Sequence, residues 1–286
     1  MQKIEFFTGK GGTGKSTNAI IYALQKSIKK KIFLCSLDPA HNLKDILQVN
    51  SFSEIHQRFK NLDIQEPSIS AMLKEYLEIM ENQLKYTHSY LSSFNLLDNF
   101  GLIKYSPGME EYAIFYTFQK LYKKDTDNDI FIIDMPPTAL SLRFFSLAQL
   151  SVIWLDKLID LRHKIINKKN LIDKVKKDTP EQDKVLLNLL KQKEKYKKLN
   201  DILLQSTIRI VLNPEPVSIS ESVNLLDKLE ALGYKNIVIH VNKSIGLIDD
   251  KIKNLSLKYE VVYIPELENN PIGVDYLYET ATKMMK

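Results

Sequence analysis

The chain of 286 residues holds one cysteine, one tryptophan and only nine glycines. A lone Cys35 excludes an internal disulfide and any Cys-x-x-Cys metal site. No run of 18 apolar residues occurs, which predicts no membrane-crossing helix. Met1-Gln2-Lys3 leads directly into an apolar run, which predicts no signal peptide. These absences together point to the cytoplasm. No internal repeat is visible, and charged residues make up an ordinary 26%, so function has to be read from local pattern.

Where glycine is so scarce, the crowding of Gly9, Gly11, Gly12 and Gly14 is a local demand. The stretch Gly9-Lys10-Gly11-Gly12-Thr13-Gly14-Lys15-Ser16-Thr17 fits the phosphate loop G-x-x-x-x-G-K-[ST]. In such a loop the backbone N–H groups from Gly11 to Thr17 cradle the phosphates of a nucleotide. Lys15 reaches the outer phosphates, and the Ser16 hydroxyl holds Mg²⁺. The apolar run Lys3–Thr8 ahead of it suits a buried parallel strand. Behind it, Ala19–Leu24 opens a helical pattern whose N-terminus offers unpaired N–H groups and a positive dipole end to an anion. A chance glycine turn would lack that setting.

Lys10 is the unusual letter. The loop needs no side chain there, and a lysine placed so early can reach a nucleotide held by a facing copy. The spelling therefore predicts an ATPase whose active site is completed in a homodimer, with Lys10 and Lys15 both catalytic.

Further strand candidates recur at Ile32–Leu37, Ile130–Ile133, Ile208–Leu212, Ile237–Val241 and Val261–Ile264, with helical stretches between them. This alternation predicts an α/β protein with a doubly wound parallel sheet, whose ligands bind at the carboxyl ends of the strands. The length suits a single P-loop ATPase domain over 1–286, with a helical subdomain added from about 68–125 and 140–205. In the second addition Leu147, Leu150, Trp154, Leu158 and Leu161 recur at helical spacing, while Val152, Leu155 and Ile159 cover another face. A helix apolar nearly all round is a place for an apolar client or partner, or else packs in a core or a dimer contact. Residues 162–205 carry 13 Lys/Arg against 6 Asp/Glu, leaving the rest of the chain near neutrality. Such a run serves solubility or meets anionic lipid, nucleic acid or an acidic partner. Apart from Tyr196 no aromatic interleaves the lysines, so no nucleic-acid partner is expected.

After the second strand the chain reads Asp38-Pro39-Ala40-His41-Asn42-Leu43-Lys44-Asp45. With the loop above, this resembles switch I of the ArsA/Get family, the ATPases of arsenite pumps and of tail-anchored membrane-protein targeting. The resemblance implies a P-loop NTPase of the SIMIBI class with a deviant Walker A loop. It gives Asp38 to the Mg²⁺ shell and Asp45 to orienting the attacking water, with His41 packing in the switch. Taken singly, Asp38 would be a turn-forming Asp-Pro and Asp45 a helix-start carboxylate. Ile132-Ile133-Asp134-Met135-Pro136-Pro137-Thr138-Ala139-Leu140-Ser141-Leu142-Arg143 resembles switch II, with Asp134 as the Walker B carboxylate on Mg²⁺ through water. Ala139 and Leu140 stand where the family usually has Gly-His, which bears on the switch motion rather than on nucleotide binding.

The same resemblance assigns adenine contacts to Asn242 and Pro265, and places Asn213-Pro214-Glu215 after the helical region. Ser106-Pro107-Gly108-Met109-Glu110-Glu111 matches a segment in which Glu111 would meet the neighbouring subunit. One phosphate loop, not two, resembles the single-ATPase targeting factors, which implies ATP and Mg²⁺ as cofactors. It also implies a hydrophobic tail-anchored segment as client and a membrane receptor. Cys35 alone cannot build the thiolate site of an arsenite-activated pump. The Cys-x-x-Cys pair and methionine-rich groove of eukaryotic members are missing as well, with no methionine in 140–205. An ATPase energising an arsenite or anion efflux pump, and a ParA/MinD-like ATPase cycling on a surface, remain the alternatives.

Overall fold

Short apolar runs bounded by turn residues give strands here because both faces of the sheet are covered. The computed structural model describes residues 2–40, 42–87, 108–125, 127–176, 183–244, 250–267 and 270–284. His41, Ser106 and Pro107 lie outside them. The strands are β1 (Lys3–Thr8), β2 (Ile32–Ser36), β3 (Leu62–Gln65), β4 (Ile130–Asp134), β5 (Thr207–Leu212), β6 (Ile237–Ser244) and β7 (Glu260–Pro265). All pair in parallel in the order β3-β2-β4-β1-β5-β6-β7. This is the doubly wound α/β sheet expected from the sequence. The chain leaves β1 toward β2 and β4 on one side and toward β5 on the other, so the loop after β1 lies at the topological switch point.

β3 was not anticipated. It has only four residues, with Leu62 and Ile64 buried and Asp63 and Gln65 exposed, the pattern of a short edge strand.

The helices are α1 (Lys15–Ser27), α2 (Leu43–Leu47), α3 (Phe52–Arg58), α4 (Ile69–Thr87), α5 (Met109–Lys124), α6 (Thr138–Lys176), α7 (Lys184–Gln205), α8 (Pro216–Ala231), α9 (Asp250–Ser256) and α10 (Val274–Lys283). Two compact units result: Met1–Phe144 with Ser206–Lys286, and Phe145–Gln205. α4 and α5 belong to the first unit, and only the region after Phe144 separates from it.

In the first unit, alternation along β1 sends successive side chains to opposite faces. Phe7 joins a cluster with Ala19, Ile20, Leu24, Leu34, Leu43, Leu47 and Leu277, where α1, α2 and α10 cover the sheet. Phe6 turns the other way, its ring 5.7 Å from Phe118 and 5.6 Å from Phe144, in an aromatic group completed by Phe115 and Phe131. A polar network crosses this unit too. Buried Glu5 takes an ion pair from Arg209, a bond from Lys3 at 2.8 Å and one from Tyr22 Oη at 3.1 Å. Arg209 also donates to Tyr22 Oη at 2.8 Å and meets His240 Nε2 at 3.0 Å. Burial beside the guanidinium drives the His240 pKa down to about 3, so the ring is neutral.

In the second unit, Arg162 binds both carboxylate oxygens of Asp183, and Lys193 pairs with Asp156, tying α6 to α7. Leu155 and Ile159 are buried, while Leu150, Ile153, Trp154, Leu161 and Ile165 are exposed. The predicted all-round apolar helix is therefore covered on one side and bare on the other. Among the described residues Thr138–Lys168 is the one helix long and apolar enough to cross a bilayer, contrary to the expectation from unbroken apolar runs. Phe144 near its start is fully buried among aromatic rings of the first unit, so that part of the helix is protein core.

Candidate nucleotide site

β1 delivers the glycine loop directly onto α1. At Gly9 an added Cβ would lie 2.2 Å from the Val211 carbonyl oxygen of β5, so no side chain fits there. Gly14 is the N-cap of α1 with φ +85°, and a Cβ would meet the Asn242 amide nitrogen at 2.6 Å. α1 has no side-chain cap, and its first-turn N–H groups lack intrahelical acceptors, which is the arrangement that attracts an anion. The loop is braced by its own backbone. The Lys10 carbonyl accepts from Thr13 N–H at 3.4 Å, Thr13 Oγ1 at 2.9 Å and Lys15 Nζ at 3.4 Å. Lys15 is buried against the loop, whereas the half-exposed Lys10 side chain turns outward, 3.9 Å from Glu221 of α8.

Asp134 ends β4 below the loop. Its Oδ2 accepts from Ser16 Oγ at 2.7 Å and Ser36 Oγ at 3.2 Å, and its Oδ1 is buried without a partner. Desolvation raises the Asp134 pKa to about 7, outweighing the hydrogen bond from Ser16 and the charge of Lys15, with Asp38 adding to the rise. An ordered carboxylate oxygen with nothing to bind, beside a serine hydroxyl, suits a hard divalent cation with oxygen ligands; the donor set fits Mg²⁺. Asp38 is also buried, with Oδ1 accepting from Ala40 N–H at 3.1 Å. The turn-forming geometry and the position near Asp134 thus coexist.

β6 and β7 close the other side of the cleft. Their pairing is irregular between Val241 and Ser244, and Lys243 adopts φ +53°, unusual for a residue with a side chain. This break sets Asn242 so that its amide donates to the Thr13 carbonyl at 2.8 Å. A cleft of about 290 Å³ is lined by Gly12, Gly14, Thr17, Asn242 and Pro265. The structure therefore brings together the loop, Asn242 and Pro265. Asn242 also braces the phosphate loop, a role that sequence reading missed.

Asp45 lies apart from that cleft. It is exposed on α2 and lines a separate depression with Phe52, Gln65 and Glu66. Two long-range bonds hold α2: Leu43 N–H to Glu66 Oε1 at 3.0 Å, and Gly273 N–H to the Ile46 carbonyl at 2.8 Å. Glu111, expected at a neighbouring subunit, forms an ion pair within the chain with Arg143 of α6. Asn213 follows β5, and Glu215 occupies the N-cap position of α8 ahead of Pro216, without a side-chain capping bond. Cys35 is fully buried in β2, and burial pushes its thiol well above the usual range. Among the described residues no group of three or more His, Cys, Asp or Glu side chains is placed to hold a metal ion.

A strand, glycine loop and uncapped helix at the switch point of a parallel sheet, with a buried acid at the next strand end, define a P-loop ATPase. The family model described as anion-transporting ATPase matches residues 2–271, and the chain belongs to this ArsA ATPase family. Its relatives carry two kinds of name. "Putative arsenical pump-driving ATPase 2" of Aquifex aeolicus is 27% identical over 93% of this chain and 89% of its own length. "Putative arsenical pump-driving ATPase 1" of the same organism is 29% identical over 95% of this chain and 72% of its own. "ATPase get3" of Schizosaccharomyces japonicus is 33% identical over 49% of this chain and 42% of its own. The protein is an ATP hydrolase of this family.

Proposed function

We propose that the protein is a Mg²⁺-dependent, homodimeric cytoplasmic ATPase whose nucleotide cycle governs capture and delivery of hydrophobic tail-anchored membrane-protein segments. The observation that carries this reading is the contrast between two lysines of one loop: Lys15 is buried against the loop, while the half-exposed Lys10 side chain turns toward Glu221. Backbone N–H groups of Gly11, Gly12, Thr13 and Gly14, with Lys15 and Thr17, would hold the phosphates. Asn242 and Pro265 would flank the base. Ser16, Asp38 and Asp134 would hold the cation directly or through water, and the bound Mg²⁺ would neutralise charge between the outer phosphates.

Phosphoryl transfer to water needs positioning and charge stabilisation more than covalent help. Asp45 is the carboxylate available to accept the water's hydrogen bond, and it would need to move with α2 to meet the nucleotide. Lys10 of a facing protomer would add its charge to the same phosphates. Exposed Leu150 and Trp154, with half-buried Leu158, would offer the client its apolar surface. The resemblance of the switch segments to the ArsA/Get family, together with a relative named ATPase get3, supports this client; the single buried cysteine gives no support to an arsenite site.

The test is capture of a tail-anchored segment with and without ATP. ATP-dependent capture, lost in Trp154→Asp and Leu158→Asp while hydrolysis persists, is the expected result. Hydrolysis without any ATP-dependent capture would overturn the client assignment.

A further inference from the structure

The bare side of α6 is not uniformly apolar. With about 100° of rotation per helical residue, Ile153, Trp154, Leu161 and Ile165 fall within about 60° of Leu150, and so do Lys157, Lys164 and Lys168. All eight side chains are exposed, Trp154 by 63%. None of the three lysines has an ion-pair partner among the described residues; Asp156, on the flank, is taken by Lys193. The nearest acid on the face is exposed Asp160, at its edge. α7 repeats the chemistry, with Leu187 and Leu190 exposed beside Lys184 and Lys191.

A client segment lying along Leu150, Trp154 and Leu158 would be apolar along its length and would leave Lys157, Lys164 and Lys168 without a counter-charge. The headgroup layer of an anionic bilayer supplies what the face lacks. Leucine, isoleucine and tryptophan enter the boundary region, while lysine stems snorkel to phosphates. We propose that the 150–168 face of α6 is a docking surface for an anionic membrane. The inference stands apart from the client reading, because it requires neither client nor nucleotide.

Trp154 is the chain's one tryptophan and therefore reports on this face alone. The experiment mixes the intact protein with vesicles of phosphatidylcholine alone and with 30% phosphatidylglycerol, following Trp154 emission and flotation. A blue shift and flotation with the anionic vesicles, weakening as salt rises, are expected. The triple variant Lys157→Gln, Lys164→Gln, Lys168→Gln should weaken that binding about a hundredfold at low salt, from about fivefold per lysine. Its ATP hydrolysis should stay at the wild-type rate.

Equal binding to neutral vesicles, or full binding by the triple variant, would overturn the proposal. So would salt-sensitive binding to duplex DNA without an emission shift, which would assign the lysines to nucleic acid. A hydrophobic peptide in neutral detergent tests the client reading separately: its capture should not respond to the lysine changes, so either reading can fail alone.

Discussion

The sheet unit keeps charge inside and gives it partners, whereas the helical unit leaves large apolar side chains outside with none. Glu5, Lys15, Asp134 and Arg209 are all buried in the first. Leu150, Ile153, Trp154, Leu161 and Ile165 are all exposed in the second. Both arrangements run against the ordinary sorting of residue types, and both carry a cost that folding alone does not explain. In the sheet unit the cost is met by geometry, since each of these side chains has a hydrogen-bond or ion-pair partner, and Asp134, whose Oδ1 has none, is held through Oδ2 by Ser16 and Ser36. In the helical unit it is met by nothing within the described residues, which points outward to a second body. The first kind of site should therefore respond to mutation through chemistry and stability, the second through association only.

The sharpest test of that contrast is Lys15→Ala. Removing the cation on the phosphate cradle should lower hydrolysis about 10²–10³-fold, measured as phosphate release, with nucleotide affinity falling as well. Lys10→Ala should behave differently despite being five residues away. Because its side chain leaves the loop, nucleotide binding should persist within a few-fold while hydrolysis falls on the order of 10²-fold. The wild-type rate per protomer should rise with protein concentration, and in Lys10→Ala that dependence should vanish. A Lys10→Ala protein that hydrolyses normally would end the shared-site account.

The loop and the sheet were legible because each is local. Four glycines, a lysine and a hydroxyl in nine positions state a phosphate cradle, and five-residue apolar runs state buried strands. β3 was hidden by its length and its half-polar alternation, although Leu62 and Ile64 did carry the signal. What the sequence could not show were pairings between ordinary residues far apart in the chain. Glu5 with Arg209, Glu66 with Leu43, Ile46 with Gly273, and Lys10 with Glu221 are such pairs. Asn242 was expected at the base only through the family resemblance, and its bond to the Thr13 carbonyl needed the β6 irregularity, which has no sequence signature. In the helical unit the pattern showed two apolar faces and left open which of them the fold would cover.

A second test of buried charge targets stability. Arg209→Leu leaves Glu5 buried without its main partner, which should cost about 3–5 kcal/mol in urea unfolding. Glu5→Gln should show how the pair depends on pH. Desolvation alone would raise the Glu5 pKa, but the charge of Arg209 and the bonds from Lys3 and Arg209 outweigh it, so the folded value lies below the usual 4.5. A lowered folded pKa means the contribution is present above the unfolded value and is lost as pH falls through the folded one. Wild-type stability should therefore fall more steeply than that of Glu5→Gln as the pH is taken below about 4.5.

The smallest effect on the fold is expected where exposure is greatest. Trp154→Asp removes a large apolar side chain that is 63% exposed on α6, so little buried area is lost and no cavity forms. Urea midpoints should move by no more than about 0.5 kcal/mol equivalent, and ATP turnover should be unchanged. Capture of a hydrophobic segment should nevertheless disappear, because a carboxylate in the middle of an apolar contact must be desolvated when the partner arrives. If instead Trp154→Asp unfolds the protein by several kcal/mol, the exposed face of α6 is part of the protein's own core or of an obligate dimer contact. The contrast between the two units would then collapse into one rule of burial.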